Sequence, residues 1–393
     1  MTEFKDVLVI GGGLTGLAAA RILAMHSVDY LVLEQNSDIG GRMRSEFFEE
    51  CILDNGFQVV LPAYPSIQAL KLSIPLKPFS RAAICISPKG RFVVADPIHH
   101  PGQFMANLNR AQATIPDYLR MLKHMLDRRF DLSTEQLFGS LGYSEGFKNC
   151  FLRPFLRGVL LDPTLNCPSP LSSYYLQRFF YGAACLVQGG IHEFPRAIAK
   201  NLDIRFQSEV TEIFQSEVKT RDGKTLDAKV IIDTRPNSSG ENVAWLGTHC
   251  HYFLSSMPVP FSRRIMLCST DLPTCINQIA NLSEVDPSYS PNGTALLSVT
   301  SRGQTGLDVA LIQRELISIL ELPEGQVNHL KSVHVEKAVP LTMQLSPEFP
   351  EPSSPRRVGN KIFASDTLSY GSQHAALRMG EQAGKMATSA LRT

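Results

Sequence analysis

The chain has 393 residues, 44% of them hydrophobic, so it can bury more than one core. Its 38 Lys and Arg stand against 37 Asp and Glu, which excludes an overall charge field directed at nucleic acid. The 8 cysteines include no CxxC pair, no apolar run approaches the roughly 18 residues of a spanning helix, and Thr2 rather than glycine follows Met1. With no secretory signal read at the start, these features predict reduced cysteines and a cytoplasmic protein.

The first element is VLVIGGGLTGLAAARIL, Val7 to Leu23. Val7 to Ile10 predicts a short buried strand, the glycines a tight turn, and Thr15 to Met25 a helix without a breaker after Gly16. In G-x-G-x-x-G at such a junction, Gly11 permits the turn, Gly13 lets backbone approach a pyrophosphate, and Gly16 lets helix and strand pack closely. Leu14 and Thr15 then fall at the helix N-terminus, whose free N–H groups and positive dipole end favour the phosphate. A second predicted strand, Asp29 to Leu33, ends at Glu34 and Gln35. An acid at that distance accepts the ribose hydroxyls of an adenosine and repels a 2′-phosphate.

The following residues, QNSDIGGRMRSEFFEECILDNGFQVV, resemble the flavin-containing amine oxidase superfamily, which includes protoporphyrinogen oxidases and phytoene-desaturase-like enzymes. Gly40-Gly41-Arg42 matches its Gly-Gly-Arg element and Asp54-Asn55-Gly56 its Asp-x-Gly stretch. The resemblance implies FAD, with Gly41 and Arg42 at the diphosphate and Gly56, Phe57 and Gln58 where backbone passes the flavin ring. In physical terms Arg42 offers a permanent charge and a planar fork of donors suited to a diphosphate. Arg44 is either a second such group or a surface charge.

Ala82 to Val94 predicts a hairpin around Pro88-Lys89-Gly90, and Thr114 to Phe130 a helix with apolar residues at 115, 118, 119, 122, 125, 126 and 130. In FKNCFLRPFLRGVLLDP, Pro154 should interrupt or bend any helix. Tyr174, Tyr175, Phe179, Phe180 and Tyr181 add an aromatic cluster. Core packing is the first reading of these segments. The second is a hydrophobic tunnel for a large apolar substrate, fed from a membrane surface beside Arg120, Lys123, Arg128 and Arg129. Arg153 and Arg157 either recognise a substrate carboxylate or pair with structural acids.

VQGGIHEFPRAIAKNLDIRFQSEVTEI resembles the superfamily's Gly-Gly-Met-x-x-Leu-Pro helix and following strand, which implies that Val210 presents its backbone to the adenine. A hairpin, Val218 to Thr225, and a buried strand, Ala228 to Thr234, follow. Ile265 to Cys268 and Ala295 to Val299 read as strands and Asp308 to Leu320 as a helix, while Pro287 to Gly293 resembles a turn of the phytoene-desaturase-like members. The C-terminal KIFASDTLSYGSQHAALRMGEQAGKM resembles the superfamily's last flavin motif. Asp366 falls on the aspartate of the ribityl and phosphate side, and Gln373 on the helix start that faces the pyrimidine end, where the dipole would stabilise a reduced ring. Ser365 and Ala375 stand where that motif has glycines. No cysteine follows Cys275, so the FAD is expected to be non-covalent.

The expected architecture is α/β, an FAD-binding Rossmann-like domain from residues 1–80, 187–246 and 355–393 intertwined with an α+β substrate domain from 81–186 and 247–354. The expected activity is removal of hydride from an apolar small molecule by an FAD-dependent desaturase or oxidase. A flavin amine oxidase and a redox-inactive binding protein on the same fold are the alternatives. No catalytic side chain is assigned: no metal-ligand spacing or GxSxG is present, and Lys331 and Lys337 read as charges at a strand edge.

Overall fold

Val7 to Ile10 is apolar at every position because its strand is covered on both faces, and all four residues are buried. The computed structural model describes residues 3–107, 113–236, 238, 240, 242–290, 292–302 and 308–392; Thr2 and Pro291 lie outside them. The strand Glu3–Ile10 runs parallel to Tyr30–Leu33 on one side and to Thr225–Asp233 on the other. Ile204–Arg205 and Lys361–Phe363 extend the parallel set, and the hairpin Val210–Phe214 and Glu217–Thr220 folds antiparallel onto it. The first and last of these strands in the sequence both border Thr225–Asp233, so the two ends of the chain meet in one eight-stranded sheet.

The glycine turn is left-handed at Gly11, φ 102°, and the helix begins at Leu14, one residue before the sequence suggested, with Gly13 ahead of its first turn. A Cβ on Gly16 would lie 1.9 Å from the Gly11 carbonyl oxygen, so only glycine lets this helix sit on its own turn. The C-terminal helix Gln373–Ala390 packs against the same helix; Val9, Ala19, Leu23, Ile232, Met379 and Ala383 fill the space between.

A second, seven-stranded sheet takes the order Val327–Pro340, Trp245–Ser255, Ala295–Ser301, Ile276–Asn281, Ile265–Cys268, Ala82–Ser87, Gly90–Ala95. Ile312, Leu316 and Leu320 of the helix Val309–Leu320 pack on one of its faces. On the other lies the largest core cluster, which includes the aromatic helices Arg153–Leu160 and Ser169–Tyr181. Pro154 does not break its segment: Lys148–Leu152 widens into a single π turn, and the proline sits in the first turn of the next helix, where no donor is required of it.

The helix expected over Thr114 to Phe130 is shorter, Ile115–Leu126. Thr114 caps its start, and at its end the Asp127 carboxylate accepts from the Arg129 N–H at 3.0 Å and Nε at 2.9 Å, a local alternative to the next helical turn. Its apolar residues occupy two faces: Tyr118 and Met125 are buried, whereas Ile115, Leu119, Leu122 and Leu126 are exposed.

Candidate active site

The strand Glu3–Ile10 lies between two parallel neighbours, and the glycine turn leaves its carboxyl end, where open α/β sheets bind ligands. Glu34, at the end of the adjacent strand, is buried and held by that turn. Its Oε2 accepts from the Gly12 N–H at 2.7 Å, and its Oε1 accepts from the Asn36 N–H at 2.9 Å and Asn36 Nδ2 at 2.5 Å. The acid and the glycines therefore form one unit, in which Oε2 has a single donor and a lone pair to spare. Arg44 Nη2 stands 3.8 Å from Oε1, so Arg44 belongs to this corner and is not a detached surface charge.

The Gly-Gly-Arg element and the C-terminal motif, 324 residues apart, meet directly: Arg42 Nη2 donates to Asp366 Oδ2 at 2.5 Å. Arg42 Nη1 donates to the Ala338 carbonyl at 2.9 Å, and its guanidinium lies over the Trp245 ring, 5.5 Å from the centroid. Gln58 Nε2 ties the Arg42 and Asn55 carbonyls together, each at 2.9 Å. Gln373 opens the C-terminal helix and donates from Nε2 to the Val59 carbonyl at 2.8 Å.

These segments enclose one cavity of about 990 Å³. Every residue that the sequence singled out for the cofactor lines it except Gly16, whose place is the helix-to-turn contact. A methyl on Gly13 would meet no atom of the described residues within 4 Å, so the protein's own packing does not require a glycine there. Four buried polar atoms on lining residues, Arg44 Nε, Trp245 Nε1, Gln373 Oε1 and Thr300 Oγ1, have no protein partner among the described residues. Unpaired buried groups each cost about 1–3 kcal/mol, so this set fits a large polar ligand. Ser365 also lines the cavity, but its hydroxyl is turned into its own loop, accepting from the Thr367 N–H at 3.4 Å. Ala375 is fully buried in the large core cluster and does not line the cavity.

Another part of the same cavity's lining forms an apolar chamber. Phe151, Phe155, Phe179, Met121 and Met125 wall it, with ring centroids 5.4 Å apart for Phe151 and Phe155 and 4.9 Å for Phe155 and Phe179. The aromatic segments are thus both core and lining. Arg153 is a structural partner of Glu135 and Glu145, and neither it nor Arg157 lines the cavity. Of the two lysines, Lys331 pairs with Glu46 at 2.7 Å, while Lys337 lines the cavity wall without an ion-pair partner among the described residues.

Residues 14–239, more than half of the chain, match the family model of flavin containing amine oxidoreductases. The chain belongs to this family. It is 42% identical over 77 residues to the flavin-containing amine oxidase A of Canis lupus familiaris, which is 19% of this chain and 14% of that protein. It is 31% identical over 246 residues to protoporphyrinogen oxidase 2 of Arabidopsis thaliana, 60% of this chain and 44% of that one. The matches therefore span less than half the length of these relatives. The fold is similar throughout to that of cyclohexylamine oxidase from Brevibacterium oxydans, with a TM-score of 0.67 and 16% identity over 99% of this chain and 100% of the other.

Within this flavin-containing family frame, two further features bear on the cofactor side. Neither cysteine nor histidine lines the cavity among the described residues, where no cluster of metal-ligating side chains is found either. Directly before Asn55 and Gly56, Asp54 is buried and latches three segments. Its Oδ1 accepts from the Ile191 N–H at 3.0 Å and Ser45 Oγ at 2.6 Å, and its Oδ2 from the Tyr289 hydroxyl at 2.9 Å. Burial pushes its pKa up to about 6 against these hydrogen bonds, which act in the opposite direction.

Proposed function

We propose that the chain is an oxidoreductase that binds FAD non-covalently and removes hydride from an apolar small molecule. Bound FAD would supply the hydride acceptor. Glu34 would take the adenosine ribose, the backbone at Val210 the adenine, and the bare turn from Gly11 to Thr15 with Gly41 and Arg42 the diphosphate. Asp366 would hold the ribityl side, and the helix start at Gln373 the pyrimidine end. Gly56 to Gln58 would pass the flavin ring, and the aromatic walls of the chamber would orient an apolar donor and exclude water. The observation that carries this reading is the continuity of the cavity: a polar cradle and an apolar chamber share one space.

The helix Ile115–Leu126 supports docking at a membrane surface. Its inner face gives Met121 and Met125 to the chamber, and its outer face exposes Ile115, Leu119, Leu122 and Leu126 at 53%, 56%, 48% and 74%. Lys123 and Arg128, also exposed, flank that stripe with positive charge suited to anionic headgroups. Anaerobic titration of the purified protein with a porphyrinogen, a polyene and benzylamine tests the proposed activity. Bleaching of the flavin colour by one of the first two is expected; bleaching by benzylamine alone would replace this reading with an amine oxidase.

A further inference from the structure

The floor of the apolar chamber holds two polar side chains with nothing to bind. Gln278 and Thr300 face each other across the strands Ile276–Asn281 and Ala295–Ser301, both line the cavity, and each is 7% exposed. Among the described residues Thr300 Oγ1 is buried without a partner and the Gln278 side-chain amide makes no hydrogen bond. The neighbouring Asn277 differs: its Nδ2 donates to the Pro154 carbonyl at 3.0 Å and pins the helix Arg153–Leu160 over the sheet. That places Gly158 against the Gln278 amide, where an added Cβ would fall 2.3 Å from Oε1.

An amide and a hydroxyl placed side by side on an apolar floor are unfavourable unless something pairs with them. Leu267, the other cross-strand neighbour of Gln278, is what ordinary packing would select here. Both polar groups can donate and accept, and neither carries charge. The strands Ile265–Cys268, Ile276–Asn281 and Ala295–Ser301 give the lining Ile265, Leu267, Gln278 and Thr300, with no charged side chain. An ammonium or carboxylate brought to this floor would lose its water without gaining a counter-charge there.

We propose that Gln278 and Thr300 form a subsite for a neutral oxygen function, a hydroxyl or carbonyl, carried at one end of an otherwise apolar substrate, and that Gly158 keeps the space for it. This rests on the reading of the chamber as the substrate site. Calorimetric titration with 1-decanol, decylamine and decanoate compares one chain length with three head groups. The wild type should bind decanol about tenfold tighter than either charged probe, and Gln278→Leu and Thr300→Val should each weaken decanol about 3- to 10-fold. Both variants should melt no lower than wild type, since each removes a group the fold leaves unpaired. Gly158→Ala, which displaces the amide while keeping it present, should reproduce the loss. Decanol affinity unchanged in both Gln278→Leu and Thr300→Val, or a charged probe preferred by the wild type, would overturn the subsite. Binding is read without flavin reduction, so a colourless protein that shows this pattern keeps the subsite and sinks the oxidoreductase reading instead.

Discussion

Gly13→Ala and Gly16→Ala add the same methyl three residues apart in one turn and should have opposite consequences. At Gly13 the backbone, φ −78° and ψ 178°, suits any residue, and the new methyl meets no atom of the described residues within 4 Å. The fold should be unaffected or stabilised by about 0.4–1 kcal/mol through the lower entropy of the unfolded chain. The methyl would instead stand where a diphosphate must approach; loss of one hydrogen bond to a charged group, about 1.5–3 kcal/mol, weakens FAD about 10- to 150-fold. At Gly16 the methyl would lie 1.9 Å from the Gly11 oxygen and 3.1 Å from its carbonyl carbon, and backbone cannot swing aside. Overpacking there should cost about 3 kcal/mol or more, lowering the melting temperature by roughly 4 °C or more. Thermal melts together with FAD titration of the apoprotein separate the two. Wild-type FAD affinity in Gly13→Ala, or a melting temperature as low as that of Gly16→Ala, would refute the assignment of a bare cradle.

Glu34→Gln turns one acceptor towards Gly12 or Asn36 into a donor facing a donor, so FAD retention should fall at least about tenfold with a modest loss of stability, measured by the same two assays. Asp54 holds its proton more tightly folded than unfolded, so its contribution to stability is complete below its ordinary pKa of 3.8 and is lost as pH rises through about 6. Relative to Asp54→Asn, the wild type should therefore lose on the order of 2–3 kcal/mol between pH 4 and pH 7 in urea unfolding, and a flat difference would contradict a carboxyl whose burial outweighs its hydrogen bonds. The double substitution Leu119→Asp and Leu122→Asp should leave the melting temperature nearly unchanged, since both side chains are exposed, while reducing co-sedimentation with phosphatidylglycerol vesicles about tenfold.

The cradle was legible in the sequence because its rules are local: a glycine fixes a turn, the acid follows one strand later, and each motif brings its own strand and helix. Resemblance at both ends of the chain assigned Arg42 and Asp366 to one cofactor, but their direct pairing was not read from the sequence. The chamber was not legible, because its walls come from helices and strands distant in sequence, and an aromatic residue reads the same whether it faces core or cavity. The helix Ile115–Leu126 merged an inner and an outer apolar face into one apparent core stripe. Arg44 stayed open between a second phosphate-side group and a surface charge, and Lys337 read as a charge at a strand edge, because nothing local marks a charged side chain that turns inward; Trp245 carried no motif. Gln278 was invisible for the same reason: its signal is the absence of a partner, which only the assembled sheet displays.

The most direct test of the account is the absorbance spectrum of the purified protein with identification of the released cofactor. The account predicts flavin bands, about one FAD per chain set free by denaturation, and no flavin left on the precipitated polypeptide. A colourless protein that takes up no added FAD, or a flavin that stays attached to the denatured chain, would contradict it.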